Sequence, residues 1–225
     1  MVNQEELAWI TQAPTESQPD LSSGHFIFKD LLRLQSVWFL TLSYTMLGYI
    51  AYIYLSWFFL YLVNVRHFTV LKGSLFGSGP FIAIAIFCPL GGWLTDRLTK
   101  KYGYSIGRTG VGAAGMFLTS LLIYSGTVAK DPYTTILMLS LGAGILYATV
   151  GAYWASTIDF SHKHSGALSG LMNMGANLGG TISPTLTPFI GEKWGWPVAL
   201  TVAAGAAFLG SLLWLGVKFD KARKM

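Results

Sequence analysis

Six stretches of the chain carry no Asp, Glu, Lys or Arg: residues 34–65, 73–95, 109–129, 132–158, 164–191 and 194–217. Each reaches the roughly 20 apolar residues that a helix needs to cross a hydrocarbon core of about 30 Å. The pattern predicts six transmembrane helices. A soluble domain would not keep charge out of six such windows. An outer-membrane barrel would show segments of about 10 residues with alternating character. The expected class is an all-α membrane protein. Residues 1–33 form a cytoplasmic tail and lead-in segment, 34–217 the six-helix domain and 218–225 a basic cytoplasmic tail.

Residues 1–25 contain no apolar core behind a basic start, so no cleavable signal is expected. In the lead-in FIFKDLLR, residues 26–33, apolar side chains flank Lys29 and Asp30. This segment either lies along the interface or extends the first span. Composition agrees with the windows, at 52% apolar and 11% charged over 225 residues.

With the N-terminus placed inside, eleven basic residues fall on the cytoplasmic side: Lys29, Arg33, Arg97, Lys100, Lys101, Arg108, Lys163, Lys218, Lys221, Arg223 and Lys224. Arg66, Lys72, Lys130 and Lys193 fall outside. The positive-inside bias predicts an even number of crossings in an inner cell membrane, with both termini cytoplasmic. The net charge of +5 is thereby explained by membrane topology, and no nucleic-acid partner is expected. Cys88, the single cysteine, offers neither a disulfide nor a multi-cysteine metal site and reads as packing. His25, His67, His162 and His164 lie in loops or at membrane edges, so neither a haem pair nor a zinc site is expected.

Spans two and five stand out for helix-breaking residues. The second carries Gly77, Gly79, Pro80, Pro89, Gly91 and Gly92; the fifth carries Gly166, Gly170, Gly175, Gly179, Gly180, Pro184 and Pro188. They would be the second helices of a three-plus-three inverted repeat, with interruptions in corresponding positions. A general enrichment of Gly and Pro in membrane helices accounts for the same residues.

The fifth span presents two faces. Ser169, Asn173, Asn177 and Thr181 recur every four residues as a polar stripe. Gly175, Gly179 and Ser183 form a small-residue face suited to close helix contact. An asparagine amide in hydrocarbon leaves its hydrogen-bonding groups unmatched, so Asn173 and Asn177 should face protein or a watered cavity. Solute binding and interhelical hydrogen bonding both satisfy that demand.

In the first span, Tyr49, Tyr52 and Ser56 form one possible face, and Tyr54, Trp57 and Tyr61 another. Either face could meet a solute or simply pack. The fourth span repeats the theme with Tyr147, Tyr153, Trp154 and Ser156. No charged group occupies the middle of a span, so this chain supplies neither a buried carboxylate relay nor a guanidinium clamp. Beyond the second span lies GGWLTDRLTKKYG. Here Asp96 stands at a membrane edge where it can meet the donors of a neighbouring helix N-terminus, and Arg97, Lys100 and Lys101 face anionic lipid.

GGWLTDRLTKK resembles the loop motif of the major facilitator superfamily, at the position between the second and third helices of the carboxyl-terminal half. Thr99 stands where that motif has glycine. YIYLSWFFLYLVNVRHFTVLKG and LMNMGANLGGTISPTLTPFIGEKWGWPVAL are similar to the anion:cation symporter branch. The resemblance covers about residues 30–218. It implies half of a twelve-helix fold, carrying a small organic anion such as a sugar acid or carboxylate with a proton or sodium. It also implies that Tyr52, Tyr54, Trp57, Trp154, Asn173 and Asn177 line the solute cavity, and that Asp96 and Arg97 serve the cytoplasmic gate. The partners implied are a complementary amino-terminal half or a second copy, together with membrane lipid. A non-transporting interaction or regulatory subunit and an inactive fragment are the competing readings. An intramembrane enzyme is disfavoured, because no catalytic carboxylate, histidine cluster or nucleophile motif is present.

Overall fold

The computed structural model describes residues 32–161 and 164–219. The chain divides into two units, Met1–Arg33 and Leu34–Met225, and the helical bundle belongs to the second. The expected polar tail, most of the lead-in segment, the end of the basic tail and His162 lie outside the described residues.

The described residues are helical, with no strand among them. In chain order the helices are α1 (Gln35–Ser56), α2 (Phe58–Asn64), α3 (Val70–Gly77), α4 (Gly79–Tyr102), α5 (Val111–Val128), α6 (Pro132–Ala148), α7 (Val150–Phe160), α8 (Ser165–Trp194) and α9 (Trp196–Leu215). A π-helical turn, Ser105–Gly110, leads into α5. Among the described residues, five segments are long and apolar enough to cross a membrane: Gln35–Ser56, Val70–Tyr102, Ser105–Val128, Pro132–Phe160 and Trp196–Leu215. At 30 residues α8 has the length, but its asparagines, glycines and hydroxyl residues dilute its apolar character. The outward side of α4 exposes Ile82, Ile86, Leu90 and Trp93, an apolar surface suited to lipid rather than water.

The helix breaks match those expected only in part. Helix α4 runs through Pro89, and α8 runs unbroken through Pro184 and Pro188. Helix breaks fall at Trp57 and Thr149, which were not expected, and at Ser78, between the expected Gly77, Gly79 and Pro80. Pro80 explains the last, since it has no N–H for the carbonyl of Phe76 and starts a helix well. At Ser78 and Thr149 the hydroxyl and the N–H of the same residue both return to a carbonyl three residues back, those of Leu75 and Leu146. This tightens one turn without ending the rod. Both α4 and α8 end on a glycine with positive φ, Gly103 at 84° and Gly195 at 94°, a conformation that costs glycine little and permits the sharp turn into the next helix.

Glycines set the closest packing. Helix α1 lies along α8, where a Cβ at Gly48 would collide with the backbone of Ala176 and one at Gly179 with that of Thr45. Helix α4 lies along α6, with Gly91 against the backbone of Ala148. Helix α9 packs on α5 and α1, and α6 on α5. Gly112 makes room there for the fully buried Trp214, whose ring centroid is 4.7 Å from that of Tyr153. Tyr153 pairs with Ser43 at 2.6 Å, and Ser43 donates to the carbonyl of Gly210 at 2.8 Å. The small-residue face expected in the fifth span is present, with Gly175, Gly179 and Ser183 all buried.

Candidate functional site

The polar stripe of α8 follows from the packing on its other side. With Gly175, Gly179 and Ser183 drawn onto α1, the residues between them turn outward, and Asn173, Asn177 and Thr181 are exposed. Asn177 donates its side-chain amide to the carbonyl of Asn173 at 2.9 Å, and Thr181 donates to the carbonyl of Asn177 at 2.8 Å. These local bonds leave the Asn173 amide and much of the Asn177 amide open for an outside partner.

Neighbouring elements frame this face. Gly180 makes room for the Tyr52 ring, whose Cε2 would stand 2.5 Å from any added Cβ, so Tyr52 sits half-buried less than a turn beyond Asn177. On the other flank Thr157 of α7 pairs with Ser169 of α8 at 2.7 Å. That contact, between residues 12 apart on consecutive helices, sets the two running in opposite directions. One turn back from Thr157 and one turn on from Ser169 therefore bring Trp154 and Asn173 to about the same depth. Trp154 is 41% exposed, and its indole donates to the Tyr44 hydroxyl at 3.1 Å.

The structure thus gathers Tyr52, Trp154, Asn173 and Asn177 around one open face. It adds the buried Tyr44, whose hydroxyl accepts from the Trp154 indole and which the sequence reading did not name. Tyr54 and Trp57 are placed elsewhere. Tyr54 is 6% exposed and donates its hydroxyl to the carbonyl of Leu139 at 2.9 Å, in the core between α1 and α6. Trp57 is half-buried at the α1–α2 break and donates its indole N–H to the carbonyl of Pro184 at 3.2 Å. The three first-span residues thus part ways: Tyr52 sits beside the stripe, Tyr54 in the core, and Trp57 against α8 about one turn beyond Thr181.

At the end of the bundle where α4 and α7 finish, Arg108 in the π-helical turn donates from Nε to Asp159 at 2.8 Å and from Nη1 to Asp96 at 2.7 Å. Its side chain is 9% exposed, against 13% for Asp159 and 62% for Asp96. Thr95 donates to the carbonyl of Gly107, fixing the turn that aims the guanidinium. The Asp96 carboxylate therefore meets an arginine side chain rather than the backbone donors expected from sequence. Arg97 lies outside this cluster, its guanidinium 5.1 Å from the centroid of the Trp93 ring. Arg108 and Asp159 were missed in the sequence reading, although each stands immediately beside an uncharged window and the two have opposite sign.

No protein-family model matches the chain. Among curated proteins it is 31% identical over 80% of its length to a hexuronate transporter of Bacillus subtilis. It is 29% identical over 71% of its length to a probable sulfoacetate transporter of Cupriavidus necator, and 27% identical over 76% to a D-galactonate transporter of Escherichia coli. The matched regions cover 44%, 37% and 40% of those three proteins, so the chain spans less than half the length of each. All three relatives are named as transporters of organic anions and none as an enzyme.

Proposed function

We propose that this chain, a member of the anion-transporter group of the major facilitator superfamily in partial form, is the carboxyl-terminal half of a carrier for a small organic anion. One observation carries the reading: the α8 stripe presents Asn173, Asn177 and Thr181 on a side that no other described part of the chain covers. Hydrogen-bonding amides midway along a membrane helix are costly against lipid, so this side belongs against water, solute or a second body. A sugar acid or comparable carboxylate offers hydroxyls to the asparagine amides and an apolar ring face to Trp154 and Tyr52. The candidate lining is therefore Tyr52, Trp154, Asn173 and Asn177.

The spans lack a cation in their middle, so the carboxylate and the coupling proton or sodium are matched by the complementary half. Two features support a three-plus-three repeat, with α8 crossing as the fifth span and α9 as the sixth. Exchanging the first three spans for the last three maps the α1–α8 contact onto α6–α4, and α9–α1 onto α5–α6. The second helix of each triplet ends on lysine, aromatic and positive-φ glycine, Lys101-Tyr102-Gly103 and Lys193-Trp194-Gly195. The Arg108 cluster with Asp96 is the gate at the cytoplasmic end, and both termini lie in the cytoplasm of an inner-membrane protein.

The test is uptake of labelled hexuronate, galactonate and sulfoacetate into vesicles carrying the chain alone or with an amino-terminal half. Uptake is expected only with the complement, and Asn177→Ala should lower it about tenfold or more while membrane levels hold. Uptake by the chain alone would replace the half-carrier with a homo-oligomer. Absence of flux in both arrangements, with both halves inserted, would favour the non-transporting reading.

A further inference from the structure

Proline at position 188 leaves the carbonyl of Pro184 without its helical donor, because that bond would come from the N–H that proline lacks. A carbonyl unmatched inside a membrane protein is costly, and a helix with such a gap bends readily. The structure fills the gap from another helix. The indole N–H of Trp57, donated at 3.2 Å, takes the place of the missing backbone donor, and α8 remains continuous across both prolines.

The surroundings hold Trp57 firmly for this task. It occupies the break between α1 and α2, and its ring packs 5.9 Å from that of Trp196 at the start of α9. Tyr61 of α2 also packs on Trp196, at 6.0 Å, and Arg66 ties the end of α2 to the carbonyl of Ala129 at 3.2 Å. The elbow that carries Trp57 is thus anchored at three points, whereas the prolines leave α8 short of internal bonds. A second link runs from α1 to the same segment of α8, the Tyr49 hydroxyl to Thr187 at 3.3 Å.

We infer that Trp57 is a positioning residue that braces α8 across Pro184 and Pro188, and thereby sets both the placement of the Asn173–Asn177–Thr181 stripe and the closure of that end of the bundle. The inference rests on the carrier reading above. It gives Trp57 a role distinct from touching solute: with the indole N–H in place α8 is continuous and packed on α1. Without it, the ring of Pro188 drives the Pro184 carbonyl outward and the helix opens on the α1 side.

A double-substitution cycle tests this in the chain co-expressed with an amino-terminal half. The background is Cys88→Ser with a single cysteine introduced by Thr181→Cys, and the readout is the labelling rate by a membrane-impermeant maleimide applied from the Trp57 end. Trp57→Phe keeps an aromatic ring and removes the donor. It should raise the labelling rate roughly fivefold, the shift that one hydrogen bond of ordinary net strength carries. Pro188→Ala restores a backbone N–H for the Pro184 carbonyl. In that background Trp57→Phe should change the rate by less than about twofold, because the carbonyl already has its donor. An equal effect of Trp57→Phe in both backgrounds would assign Trp57 to packing alone and overturn the inference, as would no effect in either. Labelling does not depend on flux. A cycle that behaves as expected without uptake would sink the carrier reading and leave the brace standing, and uptake with a flat cycle would do the reverse.

Discussion

Arg108 is the most demanding single residue in the structure, since a guanidinium with a 9% exposed side chain would be costly without both of its carboxylates. The two partners are not equivalent. Asp159 is 13% exposed and Asp96 is 62% exposed, so water already screens the second pair. Removing the sheltered partner leaves a buried cation half-matched, while removing the exposed one leaves a site that water can enter. Asp159→Asn is therefore expected to destabilise the folded chain by roughly 2–4 kcal/mol and Asp96→Asn by about 1 kcal/mol or less. Thermal unfolding of the detergent-solubilised protein measures both, and equal shifts for the two variants would refute the ranking. That Asn173 and Asn177 share one face was legible in the sequence, because residues at four-residue spacing fall on one side of a helix. The Arg108 cluster was not, because its three charges come from positions that meet only once α4, the π-helical turn and α7 are packed together. Tyr52 and Tyr54 illustrate the same limit: two residues apart, they lie on opposite sides of α1, and only the position of α8 tells which side is open.

At the scale of elements, the closeness of α1 to α8 is set by the absence of side chains. A Cβ at Gly179 would strike the backbone of Thr45 and stand 2.9 Å from the Tyr49 nitrogen, and backbone cannot move aside as a side chain can. Gly170 lies on the same helix with nothing within 4 Å of where its Cβ would be. Gly179→Leu should thus force the helices apart, costing at least about 3 kcal/mol, whereas Gly170→Leu should fall within about 1 kcal/mol of the parent. The fraction of each variant surviving mild heating in detergent distinguishes them. Comparable losses would show that the α1–α8 contact is not the sensitive one. Spacing alone foretold this face. The helix breaks were less legible, since prolines in the sequence mark where a backbone donor is missing but not whether another group replaces it. Trp57 replaces one for α8, while Ser78 and Thr149 tighten turns through their own hydroxyls. A serine or threonine that does this has no signature distinct from one that faces lipid.

For the whole molecule, uncharged windows and flanking charges were enough to predict a bundle of membrane helices, because crossing a hydrocarbon core constrains composition more strongly than any other demand on the chain. The same charges dictate an orientation. If eleven basic residues face the cytoplasm, the turns bearing Lys130 and Lys193 must emerge on the opposite side from the turn bearing Lys100. The structure places Lys130 in the turn between α5 and α6, and Lys193 in the last turn of α8 with its ammonium 4.8 Å from the centroid of the Trp194 ring. Lys130 is exposed, so a cysteine there is open to reagent from its own side. In a Cys88→Ser background, Lys130→Cys and Lys193→Cys should react with an impermeant maleimide added to intact cells, and Lys100→Cys should react only after the membrane is permeabilised. Labelling of Lys100→Cys alone in intact cells would invert the topology and move the Arg108 gate to the outer face. Labelling of Lys130→Cys without Lys193→Cys would instead remove α8 from the set of crossing helices. That helix has the least apolar composition of the long ones yet carries the stripe on which the carrier reading depends, so whether it crosses decides whether the stripe can meet a solute at the membrane midplane.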